Sequence, residues 1–174
     1  MADRTDAEAV LITGAYGTGK SSMVEEIATI LEERGVRFGA LDLDWLGWFD
    51  PGFGYGDHAA GWPVKLKNID AIVGNYYDTG VRRFALAGSM ESTDQLVDLG
   101  DSLGMSFTTV RLTVPIEEIE RRLSIAVTTG RQDDRLVAKA QLAEGRGMGI
   151  EDLAVENDRE IRPTALEILS ALGW

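Results

Sequence analysis

The sequence predicts an α/β fold, a parallel sheet with helices on both faces. Two observations predict it. Short apolar runs alternate with helix-period segments along the whole chain, and the first such run turns through spaced glycines straight into a helix. The 174 residues, 44% of them apolar, suffice for one domain over 1–174 with a sizeable core.

The run 9–14 (AVLITG) reads as a strand buried on both faces. The helix Gly19–Arg34 follows, with Met23, Ile27, Ile30 and Leu31 on one face and Gly35 to end it. Further strands are expected at 36–43 (VRFGALDL), 81–88 (VRRFALAG), 106–114 (SFTTVRLTV) and 151–157 (EDLAVEN). Helices are expected at Leu66–Thr79, Ser92–Leu103, Pro115–Ile125, Gln132–Glu144 and Pro163–Leu172. Pro115 suits a first helical position, and Glu117 and Glu118 suit the positive end of the helix dipole. Residues 45–64 and 126–149 follow neither period, and irregular stretches of that length are usually functional.

Seventeen basic against 29 acidic residues give a net charge of −12, which argues against nucleic-acid or anionic-membrane binding through bulk charge. The chain has no cysteine, so disulfides and thiolate zinc sites are excluded. The opening MADRTDAEAV is acidic and lacks the apolar core of a signal peptide, and no apolar run is long enough to span a bilayer. A cytoplasmic setting is expected, as a monomer or a homodimer.

Gly14-Ala-Tyr-Gly-Thr-Gly-Lys20-Ser21 fits G-x-x-x-x-G-K-[ST] at every fixed position, between a strand and a helix. Glycines let successive N–H groups point at phosphate oxygens, and the helix adds its positive end. Gly14, Ala15, Tyr16, Gly17, Thr18, Gly19, Lys20, Ser21 and Ser22 are therefore candidate contacts for ATP. Lys20 is expected to reach the outer phosphates and the Ser21 hydroxyl to ligate Mg²⁺.

Three classes of phosphate-loop protein compete. A motor ATPase needs an acidic pair after an apolar strand, but the third strand ends in ALAGSM. A GTPase needs N-K-x-D for guanine, and the chain has none; Asp44-Trp-Leu-Gly47 matches D-x-x-G by spacing alone. A small-molecule kinase needs acids near the loop, and the second strand ends in ALDLDWL. If that strand continues through Asp44, Asp42 and Asp44 share one face at the ligand-binding edge. Asp42 is assigned to the metal and Asp44 to the acceptor hydroxyl, with the two roles exchangeable. The bland alternative is a pair of solvated carboxylates.

The loop, the D-x-D and a single domain with an arginine-bearing lid resemble the small P-loop kinases: shikimate, gluconate and adenylylsulfate kinases and chloramphenicol phosphotransferases. The resemblance implies the P-loop NTPase fold, a five-stranded parallel sheet in the order 2-3-1-4-5 with helices on both faces and a mobile lid over 126–149. It also implies that Arg122, Arg162 and Pro163 lie near the adenine. Arg131 and Arg135 are candidates to neutralise the transferring phosphoryl group, against the alternative of a solvated loop paired with Asp133 and Asp134. Arg121 and Arg122 each follow a glutamate by four residues, Glu117 and Glu118, which is also a surface ion-pair pattern.

Residues 45–62 (WLGWFDPGFGYGDHAAGW) hold three of the four tryptophans and the one histidine. Such kinases place their acceptor there. Trp45, Trp48, Tyr55, Asp57, His58 and Trp62 join Asp44 as candidate substrate contacts, though aromatics also pack long loops. From Phe38 to Val64 the chain has four aspartates and no lysine or arginine. Two like charges at 4 Å cost about 4 kcal/mol at an effective dielectric of about 20. A neutral or cationic acceptor is therefore expected, unless Lys65, Arg82 or Arg83 reaches in. The expected function is transfer of the ATP γ-phosphoryl group to a hydroxyl of a small metabolite or antibiotic. The alternative is an ATP-binding regulatory module with little or no acceptor-dependent activity.

Overall fold

A computed structural model describes residues 3–47, 49, 58–125, 131–145 and 147–174, with backbone alone at 58–60, 125 and 131–135. The elements run β1 (Glu8–Thr13), α1 (Lys20–Glu33), β2 (Phe38–Asp42), α2 (Leu43–Leu46), α3 (His58–Asp78), β3 (Arg83–Ala87), α4 (Thr93–Leu103), β4 (Ser106–Thr113), α5 (Ile116–Ile125), α6 (Arg131–Ala143), β5 (Leu153–Glu156) and α7 (Ile161–Leu172). The strands form one sheet in the order β2-β3-β1-β4-β5, and every pairing is parallel. This is the expected sheet and the expected order.

Alternation along each strand serves both faces. On β1, Val10 and Ile12 join Met23, Ile27 and Leu31 of α1 and Ile168 and Leu169 of α7. Ala9 and Leu11 point the other way, toward Ile69 and Val73 of α3 and Leu99 and Leu103 of α4. All four β1 side chains are at most 2% exposed, which explains why the strand reads as an unbroken apolar run. A smaller cluster of Val114, Ile119, Leu123 and Ala138, with Tyr16 packed on it, joins α5 and α6 to the Gly14–Ser21 loop. Among the described residues no helix is long and apolar enough to cross a membrane.

The helices depart from expectation at several ends. Helix α3 begins at His58, eight residues before the expected Leu66, although it contains Gly61 and Pro63. Burial explains the extension: Trp62, Ile69, Ile72 and Val73 recur at helical spacing and pack on one core face. Pro115 stands just before α5, where its carbonyl accepts the amides of Glu118 and Ile119. Pro163 is the third residue of α7, where a missing N–H costs no intrahelical bond. Ser92 caps α4 by accepting the Gln95 amide, and Gly104 closes it with φ +64°.

Strand β2 stops at Asp42, and this corrects the expectation that Asp42 and Asp44 share a strand face. Asp42 instead caps the short helix α2, its Oδ1 accepting the Asp44 amide at 3.0 Å. An aspartate that can cap a helix offers the backbone an exit that strand alternation does not foresee.

Candidate functional site

The Gly14–Ser21 loop leaves β1 at the C-terminal edge of the sheet and enters α1. Gly14, Gly17 and Gly19 all have positive φ. At Gly14 (φ +141°) an added Cβ would lie 2.7 Å from the Leu112 carbonyl oxygen, so the loop has no room for a side chain there. Lys20 is 8% exposed. Its Nζ donates to the carbonyl oxygens of Gly14 and Ala15, at 3.2 and 3.3 Å. Burial pushes its pKa below the ordinary lysine value, while Asp44 and then Asp42 pull it back.

A relay of short contacts joins the loop to the acids. The Ser21 hydroxyl donates to Asp42 Oδ2 at 2.6 Å, and Asp42 Oδ1 accepts the Asp44 amide. Lys65 Nζ lies 3.7 Å from Asp44 Oδ1, its side chain only 17% exposed. Lys65 therefore reaches in, which removes part of the charge argument made from residues 38–64. Arg82 and Arg83 do not. They pair with Asp6 and Glu8 at the opposite edge of the sheet.

Three side chains outside the motif hold the loop backbone. Asn157, directly after β5, donates from Nδ2 to the Thr18 carbonyl at 2.9 Å. Arg122 donates to the same carbonyl at 3.4 Å and to the Asn157 carbonyl at 2.6 Å. Gln141 of α6 accepts the Tyr16 amide at 2.9 Å. Asn157 is 2% exposed, and its Oδ1 meets no donor among the described residues. Asn157→Ala should cost about 1–3 kcal/mol, because the Thr18 carbonyl loses its better donor in a buried setting. Urea unfolding measures it, and an unchanged midpoint would contradict this role.

Glu118 holds Arg122 in place. Its carboxyl is held down to about 2, first by Arg121 and then by Arg122. Arg121 pairs with Glu118 three residues away rather than with Glu117, because the two arginines share one carboxylate. A folded pKa below the ordinary 4.5 gives stability that is present above that value and lost as pH falls toward 2. Wild type and Glu118→Gln should thus differ in urea midpoint above about pH 5 and converge in stronger acid.

Arg162 ion-pairs with Glu26 and Glu33 of α1, so its guanidinium is not among the groups gathered at the loop. Pro163 sits beside it in the first turn of α7. The Ser22 side chain is exposed on the first turn of α1. Trp45 is 66% exposed on α2, whereas Trp62 packs against the core and donates its indole N–H to Asp98. Trp48, Tyr55 and Asp57 lie outside the described residues, as do the side chains of His58, Arg131 and Arg135. Between the loop, Ser89–Glu91 and Gln141 lies a cavity of about 10 Å³, room for about one water.

No family model matches the sequence, and no curated protein matches it. Solved structures do. A sugar kinase from Janibacter sp. HTCC2649 superposes with a TM-score of 0.67 at 20% identity, over 96% of this chain and 95% of that one. The chain has the P-loop NTPase fold. Its structural neighbours are small P-loop kinases. A gluconokinase from Sinorhizobium meliloti 1021 gives 0.61 at 18% identity, covering 97% and 93% of the two chains. The Mycobacterium tuberculosis APS kinase, solved with AMPPNP and APS, gives 0.59 at 22%, covering 98% and 99%. At such identities the likeness establishes the fold, and the chemistry has to be argued from the site.

Sequence reasoning missed Asn157 and Gln141, and named Lys65 only as an exception to the charge argument. A polar residue at the end of a buried strand was a usable signal for Asn157. Gln141 carried none, being one polar residue among many on α6.

Proposed function

We propose that the protein is an ATP-dependent kinase of a small hydroxylated molecule. The observation that carries this reading is the contact series that starts at Ser21, next in sequence to the buried Lys20, and runs through Asp42 to the Asp44 amide. It supports reading Lys20 as the cation for phosphate, the Ser21 and Asp42 oxygens as a seat for a metal, and Asp44 as the second acid. The loop amides and Lys20 bind the β- and γ-phosphates. Asp44 orients the acceptor oxygen and takes its proton as the new P–O bond forms and the bond to ADP breaks. Ser21 and Asp42 would hold Mg²⁺, whose charge would offset that on the phosphates. Among the described residues no group of three or more acidic or histidine side chains forms a metal cage. That fits an ion held by one hydroxyl, one carboxylate and the phosphates themselves.

Arg122 fixes the loop, and Arg131 and Arg135 are the candidates to meet the transferring group. An acidic pocket favoured a neutral or cationic acceptor. Lys65 beside Asp44 withdraws the preference for a cation and leaves a neutral molecule as the best fit. The sugar kinase and gluconokinase among the neighbours support a hydroxylated acceptor.

The test is ADP release from Mg-ATP over a panel of sugars, polyols, nucleosides, amino sugars and phenicols, with shikimate and gluconate as anions. Stimulation by one class is the expected result. ATP bound tightly with no stimulation by any class would overturn the kinase reading in favour of a regulatory module.

A further inference from the structure

Lys65 belongs to no motif, yet its placement is specific. It sits one turn after Trp62 on α3, with Nζ 3.7 Å from Asp44 Oδ1 and 5.9 Å from the centre of the Trp62 ring. Its stem lies across Gly47, where an added Cβ would come within 2.8 Å of Lys65 Cε. Asn68, one turn further on, donates to the Leu46 carbonyl at 2.7 Å. Helix α3 thus grips α2 at both ends, and the lysine emerges beside the proposed base rather than into open solvent.

The resulting charges balance. Two carboxylates, Asp42 and Asp44, face two ammonium groups, Lys20 and Lys65. With Lys20 and Asp42 given to the nucleotide and its metal, Asp44 and Lys65 remain as one acceptor and one donor of hydrogen bonds. Asp44 is half exposed and Lys65 is not, so the carboxylate keeps free lone pairs toward an incoming molecule. Adjacent hydroxyl oxygens on a carbon chain lie about a hydrogen-bond length apart. One such hydroxyl can donate to Asp44 while its neighbour accepts from Lys65. A lone hydroxyl uses only half of the pair, and a carboxylate meets Asp44 as a like charge.

We propose that Lys65 is a specificity-determining residue, and that with Asp44 it selects a neutral acceptor bearing two adjacent hydroxyls. The inference rests on the kinase reading above and narrows its acceptor class. The reacting hydroxyl is the one on Asp44; its neighbour is held by Lys65 and is not phosphorylated.

The experiment compares acceptor pairs in which loss of one hydroxyl removes the only adjacent pair, glycerol against 1,3-propanediol and uridine against 2′-deoxyuridine. ADP release from Mg-ATP is followed for wild type, Lys65→Met and Lys65→Gln. In wild type, kcat/KM should fall about 10- to 100-fold when the hydroxyl is removed, as for a hydrogen bond to a charged group. In Lys65→Met the two members of the responding pair should become nearly equal, and Lys65→Gln, which keeps a donor, should restore part of the difference. If Lys65→Met lowers both members alike, Lys65 only positions Asp44 and the proposal fails. If phenicols or anions stimulate ADP release and neither pair does, the proposal fails while the kinase reading stands. If nothing stimulates release, both fail together.

Discussion

Lys20→Met should lower acceptor-dependent ADP release by about three orders of magnitude, the scale of losing a preorganised donor to a developing charge. In the free protein the ammonium is buried and rests on the Gly14 and Ala15 carbonyls, poised at the mouth of the loop. It needs little rearrangement to meet a phosphate oxygen, so its contribution is electrostatic and largely prepaid by folding. Its lowered pKa adds a pH signature. Phosphate binding favours the charged form, so nucleotide affinity should fall as pH rises through the depressed value, and more steeply than in Lys20→Arg. Thermal unfolding is the control. The buried ammonium is partly penalised by desolvation, so methionine should shift Tm by only about a few degrees. Loss of activity with a large fall in Tm would point to misfolding instead.

Asp44→Asn should lower kcat about 10²- to 10⁴-fold and leave nucleotide affinity within about threefold of wild type. The substitution keeps size and shape, and the α2 contact that places the residue runs through its backbone amide to Asp42, so geometry survives. Asp42→Asn separates the two acids. It keeps the cap but weakens the ligand shared with Ser21, so its main effect should be a raised Mg²⁺ requirement. If Asp42→Asn abolishes turnover at saturating Mg²⁺ and Asp44→Asn does not, the two roles are exchanged.

The strands and the loop were legible because each rests on local signals, apolar runs and an eight-residue pattern with glycines at fixed positions. The strand order came only from the resemblance to the small P-loop kinases, because non-local parallel pairing leaves no local signal. Helix α3 was legible only in part. Gly61 and Pro63 spoke against helix, and burial of Trp62 on the core overrode them. Asp42 was legible as an acid near the loop, but its capping bond, which ends β2 and turns Asp44 onto a helix, was not. The clamps were the least legible. Asn157 meets Thr18 across 139 positions and Gln141 meets Tyr16 across 125. Their partners are main-chain atoms, and a main-chain atom leaves no mark in the sequence.

The Gln141 contact has a mechanical consequence. Tyr16 is tied to α6 through its amide to Gln141, and it packs on the cluster that joins α5 and α6. A shift of α6 would loosen both supports, so the first half of the loop is coupled to the position of that helix. Loop and helix then share a single joint: whatever moves α6 also slackens the backbone from which Lys20 and Ser21 spring.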